Sequence, residues 1–278
     1  MNLLITGGTG FFGKAFASFL IEHDLAKKVV IYSRDEAKQA QMRQSMPQYE
    51  MRWMIGDVRD LQRLTRAMYG IDVVVHSAAL KRVEVGAYNP DEMCKTNIIG
   101  TMNVIEASIL SGVSKVVFLS SDKAYQPISP YGQSKALAES LILNANNITG
   151  VEGTRFAATR YGNVSNSTGS VIPTWKRQNE RGEKVILTDP ACTRFWMTAT
   201  QAVDLVYETI ISMQGGELNI PDLPAYRLGD LAEAMGVEPV VVGLPPFEKL
   251  HESMQDGKCS ADARRMSVEE IKERLEEL

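Results

Sequence analysis

TGGTGFFG, residues 6–13, follows an apolar run of strand length at 2–6 and opens a stretch of helical period. Its glycines fall at 7, 8, 10 and 13, of which 7, 10 and 13 have the Gly-x-x-Gly-x-x-Gly spacing. Between a strand and a helix each has its own job: Gly7 lets the chain turn, Gly10 lets a pyrophosphate approach the backbone, and Gly13 lets helix and sheet pack closely. Thr6 ends the strand, and the N–H groups of the helix start, around Phe11 and Phe12, face the phosphates. A lone Gly-x-x-Gly-x-x-Gly is a weak signal. What lies beyond it decides the fold.

Through the first half, apolar runs alternate with longer stretches of helical period, which is the pattern of βα units on a parallel sheet. Strands are predicted at 2–6, 28–32, 51–55, 72–77, 115–120 and 154–160, with the clearest helical stripes at 90–110 and 131–146. Asn89 and Pro90 suit the start of the first of these helices, with Asp91 and Glu92 against its positive end. After Val164 polar loops take over: 169–182 is helical in part, 183–188 a short strand, 200–213 a helix, and 217–220 a strand returning to the main sheet. The expectation is an α/β fold, a Rossmann-type doubly wound parallel sheet with a smaller C-terminal substrate-binding lobe. The dinucleotide-binding domain spans 1–165, with 195–222 returning to it, and the interleaved lobe spans 166–278. The tail SVEEIKERLEEL reads as a solvated end helix or an oligomer contact.

With 278 residues, 44% hydrophobic, 23% charged and a net charge of -4, the chain has the profile of a soluble globular protein. No basic stripe marks a nucleic-acid surface. The first residues lack both a basic flank and a long apolar core, so neither a signal peptide nor a membrane span is expected and the address is cytoplasmic. Cys94, Cys192 and Cys259 are scattered, as are His23, His76 and His251, which predicts neither disulfides nor a metal site.

The second strand sets the cofactor. A carboxylate at its end bonds the ribose 2′-OH of NAD, whereas a cation accepts the 2′-phosphate of NADP. The chain reads IYSRDEAKQ: Ser33 takes the acid's place, Arg34 follows, Lys38 lies one helical turn on, and Asp35 is a helix-start residue. NADP is therefore expected over NAD. Asp57 and Val58 in GDVRD fall where an adenine passes, and Ser77, Ala78 and Ala79 in HSAAL are small where a cofactor runs close to backbone.

SSDKAYQPISPYGQSK, residues 120–135, begins at the carboxyl end of a predicted strand, where open α/β sheets bind ligands. Ser129 and Pro130 suit a helix start, which puts Tyr131 and Lys135 on one face, a turn apart. Adjacent residues of a strand point to opposite faces. The strand must therefore already be ending at Asp122 if Asp122 and Lys123 are to reach one ligand.

The succession TGGTGFFG, Asn97, SSDK, Tyr131-x-x-x-Lys135 and RYGNV resembles the extended short-chain dehydrogenase/reductase superfamily. More narrowly, YSRDEAKQ, KTNIIGTMNVIEA, SSDKA, TRYGNV, TRFWM and EKLHE are similar to the inverting UDP-N-acetylglucosamine 4,6-dehydratases, densely to about Trp196 and thinly after Ile220. That resemblance implies a lyase that uses NADP without consuming it, acting on a nucleotide sugar, with UDP-N-acetylglucosamine the first candidate. Tyr131 would deprotonate the sugar O4, helped by the cation of Lys135, which lowers a phenol pKa of about 10. Lys123 would remove the C5 proton and Asp122 would protonate the departing C6 hydroxyl. A lysine base near pH 7 needs a drop of roughly 3 units, on the order of 4 kcal/mol, and a dry pocket favours the neutral tautomer of the Asp122–Lys123 pair.

The resemblance also implies supporting residues. Asn97 would hold a water linked to Lys135, or else be a satisfied core amide. Ser120, Tyr161, Asn163 and Val164 would flank the cofactor. Lys81, Ser121, Asn163, Val171, Thr188, Thr193, Arg194 and Glu248 would line the substrate, with Arg194 at its diphosphate. The chain departs from the family at Pro245 and Phe247, where Arg and Gly usually precede the Glu, so one cation for the diphosphate is missing. The rivals are a UDP-sugar 4-epimerase of the same superfamily, which carries small or hydroxyl residues in place of Asp122 and Lys123, a retaining dehydratase, and a non-catalytic NADP-binding sensor or scaffold. A homo-oligomer is expected, joined through the helix 131–146 or 90–110.

Overall fold

The computed structural model describes residues 1–47 and 50–278. Strands β1 (Asn2–Thr6), β2 (Lys28–Ser33), β3 (Arg52–Ile55), β4 (Val73–His76), β5 (Lys115–Leu119) and β6 (Arg155–Thr159) alternate with helices. They are followed by β7 (Asn163–Val164), β8 (Ile186–Leu187), β9 (Thr193–Met197), β10 (Leu218–Asn219) and β11 (Ala225–Arg227). The main sheet is parallel throughout, in the order β10-β6-β5-β4-β1-β2-β3. The order reverses between β1 and β4, which opens a crevice at the carboxyl ends of the strands, and every residue of interest below lies around it. The strand at 217–220 does return to this sheet, as β10 beside β6.

Two-sided burial explains why these runs are continuously apolar. Leu3, Ile5, Val29 and Ile31 face Phe16 and Leu20 of the helix Phe11–Glu22 and Val206 and Ile210 of the helix Ala199–Ser212. Their neighbours Leu4, Val30 and Val74 face Leu64, Val104 and Ile142 on the opposite side. Each such side chain, fully buried, contributes about 1.5–3 kcal/mol. The sheet is therefore fixed by the alternation in its own strands, with helices on both faces.

A second sheet, β11-β9-β7, two short pairs, β8 with Val240–Val241 and Ser253–Gln255 with Lys258–Cys259, and a third core around Trp175, Trp196, Tyr226 and Leu231 complete the described residues. Three features differ from the sequence reading. The charged tail helix, Val268–Glu276, is docked rather than solvated: Ser267 caps it, and Ile271 is buried in the third core. The stretch 193–197 is a fully buried strand, although Thr193 and Arg194 break its apolar run. Finally, 90–110 is not one regular helix. It passes from Pro90–Met93 through a π turn, Cys94–Ile99, into Gly100–Leu110. A π turn adds a residue to the helical turn and re-aims its side chains, and Asn97 sits within it.

Candidate active site

The glycine turn is built for close approaches. Gly7 has φ +66°, and a Cβ there would lie 2.9 Å from the backbone of Ala78, so β1 and the segment after β4 can meet only at a glycine. A Cβ at Gly13 would meet Gly8 at 2.5–2.7 Å, so Gly13 packs against the turn itself. Gly10 is the N-cap of the helix Phe11–Glu22, with no side-chain cap and no acidic residue in the first turn. Donors at the helix start are thus left for an anion, and the crevice fits a dinucleotide's pyrophosphate.

At the far end of β2, Gln39 donates to both the Ser33 hydroxyl and the Ser33 carbonyl. Asp35 caps the next helix by accepting from Lys38 N at 3.0 Å, and its carboxylate also pairs with Lys38 Nζ at 3.3 Å. Asp57 is bound by Arg59 through its backbone and its guanidinium, and Arg34 stands 3.6 Å away, half exposed. The Arg59 side chain and N–H, outweighing burial, hold the Asp57 carboxyl below its usual range. Val58 is buried under Gly100, where a Cβ would strike it at 2.7 Å.

The catalytic stretch leaves the sheet at the point required. Ser120 N and Asp122 N still donate to Thr159 O and Tyr161 O, prolonging the β5–β6 ladder past Leu119. Then Asp122–Ala124 closes a 3₁₀ turn capped by Ser121. The turn aims both side chains the same way: Lys123 Nζ lies 3.2 Å from Asp122 Oδ1. Asp122 is only 1% exposed; Ser121 donates to its Oδ1 at 3.0 Å, and its Oδ2 has no hydrogen-bond partner. Gly162 lies beside it, where a Cβ would meet Phe195 at 2.7 Å and Asp122 Oδ2 at 3.5 Å.

The helix Pro130–Asn144 begins as expected, with Ser129 capping Gly132 N, and brings Tyr131 to the same place. Burial raises the Tyr131 pKa, against the opposing pull of Lys123 and a hydrogen bond from Ser121. Lys135 departs from expectation. Its amine donates to Leu119 O and lies 3.9 Å above the Phe118 ring, so in this structure Lys123, and not Lys135, is the amine acting on the phenol. Burial pulls Lys135 down to about 7 against the pull of Glu139, so it is not a full cation at neutral pH.

Lys123 departs in the other direction. Burial works to lower its pKa, but the carboxylates of Asp122 and Glu252 outweigh burial and hold it above the ordinary lysine value. The ammonium, not the neutral amine, is its form here, because two carboxylates and not one face it: Glu252 Oε1 lies 3.3 Å away. From the sequence, Glu252 is only the last letter of EKLHE. Nothing in its spacing ties it to a turn some 130 residues earlier.

Asn97 is spent within the protein. Its amide accepts from Leu80 N at 2.8 Å and donates to Leu80 O and Ser134 Oγ at 2.9 Å each, and Ser134 in turn donates to Tyr131 O. The π turn therefore fixes the segment Ser77–Lys81 after β4 against the tyrosine helix. Ser77 Oγ donates to Thr6 O, Ala79 is half buried, and Lys81 is exposed at the edge.

On the opposite wall, Tyr161 is buried, and Asn163 and Val164 begin the second sheet. Val171 joins Asn163 and Val164 around a small cavity closed by Trp196 and Tyr226. Tyr226, missed in the sequence, has its hydroxyl beside Asn163 and within the field of Lys123. Thr188 directly follows β8, and its carbonyl accepts from Gly243 N. Thr193 and Arg194 have their polar groups taken up by protein. The Thr193 hydroxyl is shared between His251 and Ser260, while Arg194, 4% exposed, donates to Thr193 O, Leu250 O and Glu248 at 2.6–3.2 Å.

The sequence pattern of polysaccharide biosynthesis proteins matches residues 3–272. The chain is 45% identical over 256 residues to a UDP-N-acetylglucosamine 4,6-dehydratase (inverting) of Campylobacter jejuni, covering 91% of this chain and 77% of that protein. It is 41% identical over 237 residues to a UDP-glucose 4-epimerase of Rickettsia canadensis, covering 84% and 70%. The solved structure of Pen from Bacillus thuringiensis is similar over 100% of this chain and 98% of that one, with a TM-score of 0.94 and 35% identity.

Proposed function

Because the chain belongs to the polysaccharide biosynthesis protein family, we propose that it is an NADP-dependent nucleotide-sugar 4,6-dehydratase acting on UDP-N-acetylglucosamine with inversion at C5. The observation that carries this reading is the carboxyl and amine of Asp122 and Lys123, 3.2 Å apart and turned to the side where Tyr131 stands. A 4-epimerase has use for Tyr131, Lys135 and the cofactor, but for no acid and base at C5 and C6.

A dinucleotide held at the glycine turn would supply a reversible hydride acceptor for C4 and donor for C6. Tyr131 takes the O4 proton; burial alone makes its phenol a poor base, and Lys123 and Ser121 counter that. Once C4 is a ketone the C5 proton is acidic. Lys123 takes it, Asp122 protonates the C6 hydroxyl as it leaves, and the enone that results takes hydride at C6 and a proton at C5, on the face opposite to the one lost. Residues 1–165 with 195–222 would hold the cofactor, and 166–278 the sugar nucleotide.

Product mass after incubation with UDP-N-acetylglucosamine in heavy water tests the assignment. Loss of one water with deuterium at C5 is the expected result. An isobaric product would make the protein an epimerase, and no turnover across several nucleotide sugars would leave only a binding role.

NADP over NAD rests on Ser33 in the acid position, on Asp35 being committed to its cap, and on half-exposed Arg34. Arg34→Ala should weaken NADP binding by about 10-fold or more, the worth of one charge-assisted phosphate contact, and leave NAD nearly unchanged. Calorimetric titration with both dinucleotides reads this, and an equal loss for both would remove Arg34 from the 2′-phosphate. Exposed Ile99, Met102, Leu110 and Leu137 lie on the two helices expected at a homo-oligomer seam. A cytoplasmic address is consistent with there being no helix, among the described residues, long and apolar enough to cross a membrane.

A further inference from the structure

The segment 249–256 is fastened to the catalytic turn at several points. Lys249 Nζ donates to Tyr125 O at 2.6 Å, the Tyr125 hydroxyl donates to Asp256, and Arg160 donates to Met254 O. Held in this way, Glu252 reaches Lys123 from outside the Rossmann sheet and is only 2% exposed.

Its environment is unlike that of a structural carboxylate. Glu139, also buried, spends both oxygens on the guanidinium of Arg160. Glu252 faces two amines, Lys123 at 3.3 Å from Oε1 and Lys249 at 3.7 Å from Oε2, and acts on the buried guanidinium of Arg194, while Oε2 has no hydrogen-bond partner. A buried carboxylate costs several kcal/mol when poorly bonded, on the order of the whole margin a domain has. A second carboxylate beside Lys123 is thus a poor device for stability alone.

We propose that Glu252 is a positioning residue for the elimination, which takes the proton that the Lys123 ammonium must lose before its amine can act on C5. The proposal rests on the dehydratase reading. In this step an N–H bond at Lys123 Nζ breaks, an O–H bond forms at Glu252 Oε1, and two opposite charges become two neutral groups. The groups facing Lys123 are Asp122 and Glu252, the guanidinium of Arg194, and the phenols of Tyr131 and Tyr226. With water present the two carboxylates keep the ammonium. A sugar that displaces water raises the cost of separated charge and favours the neutral pair. Asp122, held by Ser121, is left to take the proton that Lys123 has drawn from C5 and pass it to O6 as water leaves, so the ammonium proton and the C5 proton each have their own carboxyl group.

Glu252→Gln keeps the shape and removes both charge and proton acceptor. Acylation of Lys123 by acetic anhydride, read by peptide mass across a pH series, measures its amine directly and independently of turnover. The midpoint is expected to fall by at least one pH unit in Glu252→Gln, a 10-fold gain in free amine below it, and to stay near wild type in Glu252→Asp. Dehydration at neutral pH should nevertheless fall by about 10²-fold in Glu252→Gln, because the ammonium proton has lost its acceptor, and recover in Glu252→Asp; a rate that rises with the free amine overturns the proposal. An unmoved midpoint in Glu252→Gln overturns the proposal, even if melting temperature or rate falls. If the midpoint moves in Glu252→Gln but wild-type protein dehydrates no UDP-N-acetylglucosamine, the dehydratase reading fails, and the elimination role with it, while the control of the Lys123 charge stands.

Discussion

Lys123→Ala is expected to lower dehydration by about 10³-fold or more, within the range of a lost acid–base group, while leaving dinucleotide affinity unchanged. The separation of effects follows from geometry. Lys123 lies in the 3₁₀ turn beyond β5 and faces Asp122 and Glu252, whereas the glycine turn and Arg34 lie around the ends of β1 and β2. The first step, at C4, uses the amine only through the phenol, whose pKa Lys123 lowers, so at neutral pH it should slow and not stop. A 4-keto sugar should therefore still form, and borodeuteride quenching should place deuterium at C4 of recovered UDP-sugar. If dehydration persists at near the wild-type rate, Lys123 is not the base and Asp122 must be reconsidered in that role. Removing the ammonium leaves Asp122 and Glu252 buried without it, at a cost of about 3–5 kcal/mol, so the melting temperature is measured alongside the rate, and Lys123→Met, closer in volume, controls for the packing.

Much of this site can be read in the chain because it is local. The glycine turn sits between a strand and a helix that periodicity alone reveals, and Tyr131 and Lys135 share a helix face whose start is marked by Ser129 and Pro130. The demand that β5 end before Asp122 also follows from strand geometry, and the 3₁₀ turn meets it. What stays hidden depends on contacts between distant segments. Glu252 and Tyr226 arrive from short, irregular elements with neither a 2- nor a 3.6-residue period, so no pattern points them at Lys123. The π turn at Asn97 leaves a helical stripe intact while shifting its side chains. Protonation states are hidden for the same reason: from the sequence Asp122 and Lys123 form a pair that a dry pocket neutralises, whereas in the fold Asp122 and a third group, Glu252, together keep the charge on the amine.

Tyr131→Phe should stop the reaction one step earlier than Lys123→Ala. Removing the phenol takes away the group that accepts the O4 proton, and a loss of about 10³-fold or more is expected in dehydration and in 4-keto formation alike. Borodeuteride quenching should then place no deuterium at C4, in contrast to the Lys123 variant. Heavy-water exchange at C5 should vanish in both, because it needs the ketone first and the amine second. The phenol is buried and raised above its ordinary pKa, with Lys123 and Ser121 opposing that rise. Its anion is therefore scarce at neutral pH, and the wild-type rate of 4-keto formation should climb as pH rises toward the phenol's pKa. Ser121→Ala removes one of the two groups that lower that pKa, so the climb should move to higher pH. A Tyr131→Phe protein that still forms the 4-keto sugar at the wild-type rate would move the C4 base elsewhere. Lys123 would then be the nearest remaining candidate, one group serving both C4 and C5, and the double variant would be no worse than Lys123→Ala alone.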